Sequence, residues 1–355
     1  MCIPSHELAE LVTMTRAGAT PLEAARLETV VDTIKKANIT ARLDSPQSRF
    51  LRNLVDKHTH FLQPGAAALF QDIDLYGTDL AVADAIPRIK DGRRQVIVFE
   101  GLCQLIHFYA DLITVFDLLQ TQRSDCVVLV DDAEQPEALA FSLASFALIA
   151  DFIETGRTLN PISRLLGRRS RRNAAIGYLG AVLFVLLHEA GHLHLGHTEQ
   201  APGNSERPPV SPALAEDITP YQQREFDADR FAYMSLREGI RQDFISSILF
   251  FLGPFAFLEA FALPAGRSHP LSVNRGAHLA SLMAPDDETA AKTLRIIASQ
   301  IEGIQSLAAR RSEHHGNIRY RIHETMPVEL AHQIIREISA RIEAEGRGLD
   351  VQEVG

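Results

Sequence analysis

Two histidines four positions apart, His188 and His192 in His188-Glu189-Ala190-Gly191-His192, close the apolar run 174–187. An α-helix turns about 100° per residue, so side chains four apart differ by roughly 40° and both imidazoles point the same way. Two imidazoles on one helix face make half of a zinc site, and a glutamate between them is the residue that, in zinc hydrolases with this signature, takes a proton from the attacking water. Catalytic zinc needs three protein ligands and one open position, so a third ligand must come from elsewhere.

The segment Glu225-Phe226-Asp227-Ala228-Asp229-Arg230-Phe231-Ala232 supplies it. Apolar residues at 226, 228, 231 and 232 have helical spacing. Glu225 and Asp229, four apart, share a face from which Asp227 points away. Glu225 is the expected third ligand. Asp229, one turn on, is placed to accept a hydrogen bond from the ring nitrogen of a zinc histidine that does not bind the metal.

With His269-Pro270-Leu271-Ser272-Val273-Asn274-Arg275 following in order, the three segments together resemble gluzincin metallopeptidases of the HtpX and CaaX prenyl-protease type. In that type, His-Glu-x-x-His is followed by a Glu-x-x-Ala-Asp helix and a His-Pro-x-x-x-x-Arg element. The resemblance covers about 174–275. It implies zinc on His188, His192 and Glu225, Glu189 as base, and Asp229 behind the ligands. It further implies His269 facing the substrate or its developing oxyanion, and Arg275 paired with a carboxylate such as Asp229. Members of that type often carry transmembrane helices, a pattern from which this chain departs. The run Gly191-His192-Leu193-His194-Leu195-Gly196-His197 is also similar to ImmA/IrrE regulatory peptidases, and Lit-type phage-exclusion proteases share the zinc motif.

Composition suits an enzyme of this kind. A chain of 355 residues that is 46% hydrophobic can bury one large core or two smaller ones, and a formal charge of −10 disfavours general nucleic-acid binding. Cys2, Cys103 and Cys126 are too scattered for a disulfide framework or thiolate zinc site, and suit a reducing cytoplasm. The start, Met1-Cys2-Ile3-Pro4, lacks the charged-then-apolar order of a secretory signal. Two apolar stretches are long enough to raise the question of a membrane. Residues 244–263 contain the Gly253-Pro254 breaker and Glu259, which favour buried helices, and residues 174–187 end in metal ligands, which favours a dry backing for the site. Membrane contact is therefore not favoured. Just ahead lie five arginines within 164–172, read as a solvated loop or as a dock for an acidic partner.

The expected fold class is α+β and predominantly helical, with a zincin-like core in which an active-site helix lies beside a small β-sheet. Residues 1–94 read as a helical N-terminal region, with apolar spacing through 5–60. Residues 95–285 read as the metallopeptidase core, interrupted by a Pro/Gly/Ser-rich insertion at 200–213, and 286–355 as a C-terminal helical region. Strands are expected at 95–100 and 126–130 around a helix at 102–120. A sheet edge there would suit a substrate backbone. The C-terminal alternation over 287–345 suits packing on the core or formation of a homo-oligomer. His58, His60, His107, His314 and His315 read as scattered polar residues and not as sites. His194 and His197, on a continuing helix, turn away from the metal.

The expected function is a zinc endopeptidase with one Zn2+ per chain, acting on a specific intracellular protein or peptide through a zinc-activated water with Glu189 as general base. Two other readings compete with it. One is a non-catalytic zinc-stabilised interaction module, and the other is an integral membrane protease.

Overall fold

A computed structural model describes residues 2–15, 21–121, 136–157, 159, 162, 166, 168–198, 220–241, 244, 247–248, 251–253, 272–282 and 327–344. The chain is α+β and predominantly helical, as its patterning predicts. The lead-in forms helices α1 (Ser5–Thr15), α2 (Pro21–Ala37) and α3 (Pro46–His58), with a short pairing of β1 (Cys2–Ile3) and β2 (Ala41–Arg42). The start of α3 is set locally. Ser45 accepts from the Ser48 N–H at 3.0 Å and Pro46 occupies the first helical position, where its missing N–H costs nothing. A short helix, α4 (Pro64–Leu69), leads into the sheet.

The sheet has three strands, β3 (Ile73–Thr78), β4 (Ala85–Lys90) and β5 (Arg93–Phe99), in the order β3-β5-β4. β3 runs parallel to β5, and β4 antiparallel to it. β4 and β5 are joined by Asp91 and Gly92, both with positive φ (51° and 72°), the two-residue hairpin connection that follows the twist of the strands. Period-2 alternation explains why β5 reads as an unbroken apolar run. Val96 and Val98 point into the main core, while Ile97 and Phe99 point to a second cluster formed with α1 and α2. Of the two strands the sequence suggests, 95–100 corresponds to β5, and 126–130 lies outside the described residues.

On the main-core side the sheet is followed by α5 (Glu100–Thr121), α6 (Pro136–Thr155) and α7 (Arg168–His194). Gly101 lets α5 start hard against the preceding loop, since a Cβ there would lie 2.6 Å from the Val82 backbone. α7 is buried on nearly all sides over 181–193, packing on α5 and β4 and on α8 (Pro220–Met234). Its stretch Ser170–His194 is long and apolar enough to cross a membrane by length and composition, with 78% of the most apolar window buried inside the protein. The described members of 244–263, among them Phe244, Ile248, Phe251 and Leu252, are likewise buried in the core. The arginine cluster differs from expectation. Arg168, Arg171 and Arg172 belong to the first turns of α7 and are exposed, because arginine favours helix enough to extend it backwards from the apolar run. α9 (Ser272–Leu282) packs on α8, and α10 (Val328–Ala344) packs on α6, contributing Ala331 and Ile338 to the main core.

Candidate metal centre

The last two turns of α7 carry His188 and His192, both buried, with their Nε2 atoms 3.1 Å apart. α8 crosses at this point. Its buried Glu225 places Oε2 3.3 Å from His188 Nε2 and Oε1 3.5 Å from His192 Nε2. All three ligand atoms lie within 4.8 Å of one another, so this group could hold a metal ion. For a tetrahedral ion with ligand bonds near 2.0–2.1 Å, ligand atoms should be separated by about 3.3 Å. The two imidazole nitrogens, 3.1 Å apart, lie close to that value, each has a different oxygen of Glu225 at 3.3 or 3.5 Å, and two imidazoles with one carboxylate form a donor set that zinc accepts.

Close approach of α8 depends on Gly191. A Cβ there would meet Phe231 Cδ1 at 3.0 Å and the Ala228 Cα at 3.3 Å, so a larger residue would hold α8, and Glu225 with it, away from the two histidines. The four-residue spacing brings the two imidazoles together, and this glycine leaves room for Glu225 beside them.

Behind the ligands lies a fully enclosed ion pair. Asp229 is 0% exposed and its Oδ1 lies 2.9 Å from His188 Nδ1. Arg275, on α9 and 3% exposed, donates through Nε to Oδ2 at 2.7 Å and through Nη2 to Oδ1 at 2.6 Å, with the same Nη2 3.4 Å from His188 Nδ1. Its guanidinium also lies over the Phe251 ring, 5.0 Å from the centroid. Burial alone would raise the Asp229 carboxyl, but Arg275 and His188 outweigh it and hold it below the ordinary value. Burial works against charge on His188 too, yet the hydrogen bonds it donates to Asp229 and Glu225 lift it to about 9 in the metal-free protein. Asp229 and Arg275 thus pair as the sequence pattern implies.

Glu189 is buried, and burial raises its carboxyl to about 8, with Glu225 and Asp84 adding to the rise and His188 and Arg275 opposing it. Asp84, immediately before β4, is pushed up to about 7, first by burial and further by Glu225, against a hydrogen bond from the Ala85 N–H. Nothing in the local sequence marks Asp84, which reaches the neighbourhood of Glu189 because β4 packs on α7.

His197 departs from expectation. α7 ends at His194 and Gly196 adopts φ 72°, so the chain folds back instead of continuing as helix. His197 Nδ1 is thereby brought to 3.0 Å from His192 Nδ1. Burial, and then Arg224, lower the His197 pKa below its ordinary value. His194 does point away, against Phe231. Asp227 also lies off the metal face and accepts from Gln223. His269 lies outside the described residues.

Residues 160–295 match the model of a family described as Peptidase U49, a peptidase family. The matched segment contains His188, Glu189, His192, Glu225, Asp229, His269 and Arg275. No curated protein and no solved structure matches the chain.

Proposed function

We propose that this chain is a zinc-dependent endopeptidase of gluzincin type. The observation that carries the reading is the convergence of buried His188, His192 and Glu225, one ligand atom from each lying within 4.8 Å of the others, within a segment that matches a peptidase family. A zinc ion held there would supply a Lewis acid that acidifies water and polarises a scissile carbonyl. The protein's own residues do the rest. Glu189 accepts the proton of the attacking water and returns it to the leaving amine, and a carboxyl lifted by burial toward the working pH suits both transfers. Asp229 accepts from His188 Nδ1–H and so keeps Nε2 free for the metal, while Arg275 keeps Asp229 ionised and in place. His269 is assigned to the oxyanion on the sequence pattern alone. The ordered segments and the Asp229–Arg275 pair support the HtpX and CaaX prenyl-protease type among gluzincins.

For the substrate backbone we assign β4. The Phe99 N–H donates to the Asp84 carbonyl at 3.2 Å, so in this register 84, 86, 88 and 90 face β5, and the peptide groups of Ala85, Pro87 and Ile89 face the other way. Among the described residues no strand pairs on that side. The Ala85 N–H is taken by Asp84 Oδ1 at 2.8 Å and Pro87 has none, which leaves mostly carbonyl acceptors for an incoming peptide. We also assign the protein to the cytoplasm, where Cys2 and Cys103 would stay as the free thiols they are here.

The test is elemental analysis of purified wild type beside Glu225→Ala and Glu189→Gln, with casein cleavage measured in parallel. One zinc per chain in wild type, lost in Glu225→Ala and kept in a cleavage-dead Glu189→Gln, is the expected result. Absence of zinc from wild type would overturn the reading, and cleavage by Glu189→Gln would remove the base assignment.

A further inference from the structure

The two metal histidines are held from behind in different ways. His188 leans on a carboxylate locked by an arginine, whereas the ring nitrogen of His192 that faces away from the ligand cluster meets another imidazole. We propose that His197 is a positioning residue for the metal centre, its Nδ1 accepting a hydrogen bond from His192 Nδ1–H and thereby fixing His192 with Nε2 free to bind metal. This rests on the reading of His188, His192 and Glu225 as ligands.

Two ring nitrogens at 3.0 Å require one N–H and one lone pair. If His192 binds through Nε2 as a neutral imidazole, its proton sits on Nδ1. His197 must then offer the lone pair at Nδ1 and carry its own proton on Nε2.

The contact is built into the helix terminus. Gly196, in the left-handed region at φ 72°, occupies the position after the last helical turn, and the His197 N–H donates to the His192 carbonyl at 3.0 Å. A 6→1 bond of this kind over a left-handed glycine is a Schellman ending, in which the side chains at its two ends commonly touch through apolar contact. Here the same two positions are both histidine. The fold-back that satisfies the end of the helix therefore also delivers an acceptor to the metal ligand. A neutral acceptor adds no negative charge to a site that already has Glu225 and Asp229, so it orients His192 without raising its basicity as a carboxylate would.

The test uses full-length protein and zinc affinity measured by competition with a chromophoric chelator, for wild type and for His197→Ala, His197→Asn and His197→Gln. Asparagine puts an oxygen where Nδ1 now lies, whereas glutamine carries its oxygen one atom further out. Loss of an acceptor behind a metal histidine typically weakens binding by about 10–100-fold. His197→Ala and His197→Gln should bind zinc at least ~10-fold more weakly, and His197→Asn should recover to within about threefold of wild type. Long-range 1H–15N spectra of the zinc-loaded protein should show His192 protonated at Nδ1 and His197 at Nε2. Wild type that binds no zinc would overturn both the ligand reading and this one. Wild type that binds zinc while His197→Ala matches it, or while His197→Asn is no better than His197→Ala, would overturn the role of His197 alone. Should His197→Ala fail to fold, the comparison of Asn with Gln decides the same question.

Discussion

Replacing Arg275 with methionine keeps most of the side-chain volume against Phe251 and deletes the charge that faces Asp229. Both partners are enclosed, Asp229 at 0% and Arg275 at 3% exposure, and they are joined by two short bonds of 2.7 and 2.6 Å. Breaking a buried pair from one side leaves an uncompensated charge and costs about 3–5 kcal/mol. At pH 7 the metal-free protein keeps a second cation beside Asp229, since His188 is lifted to about 9, so the lower end of that range applies there. Above pH 9 His188 is neutral and the cost should move to the upper end. In a chain of this size the loss lowers Tm by about 4–7 °C. The double variant Asp229→Leu/Arg275→Met removes both charges and should recover most of the stability. It should still bind zinc 10–100-fold more weakly, because His188 Nδ1–H has lost its acceptor. Urea unfolding of metal-free protein and zinc competition are the two assays. A loss under about 1 kcal/mol for Arg275→Met would show that the pair is solvated and the energetic reasoning wrong. Wild-type zinc affinity in the double variant would show that Asp229 does not orient His188.

The pH dependence of the metal-free protein has a definite sign. His188 is raised from 6.5 to about 9 on folding, so its contribution is complete below pH 6.5 and is lost as pH rises through 9. Glu189, raised from 4.5 to about 8, works in the same direction over a lower window. Stability without zinc should therefore fall from pH 6 to 9.5, by roughly 3 kcal/mol from His188 alone, and a flat profile in urea unfolding would contradict the assignment. Zinc must displace the His188 proton, so its apparent affinity should climb about tenfold per pH unit up to pH 9 and then level, as read by chelator competition. Gly191→Val should weaken zinc binding by more than about 100-fold, because the added methyls push Phe231 and Ala228 away and move Glu225 with them, with Gly191→Ala intermediate. Unchanged zinc affinity in Gly191→Val would mean that α8 does not need this close approach.

How much of the site could be read in advance depended on whether each contact is local or crosses the fold. His188, His192 and Glu225 were legible because helical periodicity fixes which side chains share a face, and α7 and α8 are regular where those residues sit. The Asp229–Arg275 pair joins residues 46 positions apart, and no local periodicity connects them, only the ordered pattern of a resembling family. β5 was visible because burial on both faces makes an apolar run. β4 was not, since Ala85-Ile86-Pro87-Arg88-Ile89-Lys90 is a half-exposed edge broken by proline, and with it went Asp84. His197 failed for a different reason. Helical periodicity continued past His194 turns its side chain away, whereas the helix ends there and Gly196 is left-handed. Leu195-Gly196-His197 does carry the signal, a glycine at the end of an apolar helix, which stops the helix and folds the next residue back onto the last turn. A candidate metal histidine in the last turn of a helix, such as His192, can therefore meet neighbours from two directions. One is the partner helix that faces it. The other is the residue after the terminating glycine, and here it is the second that periodicity conceals.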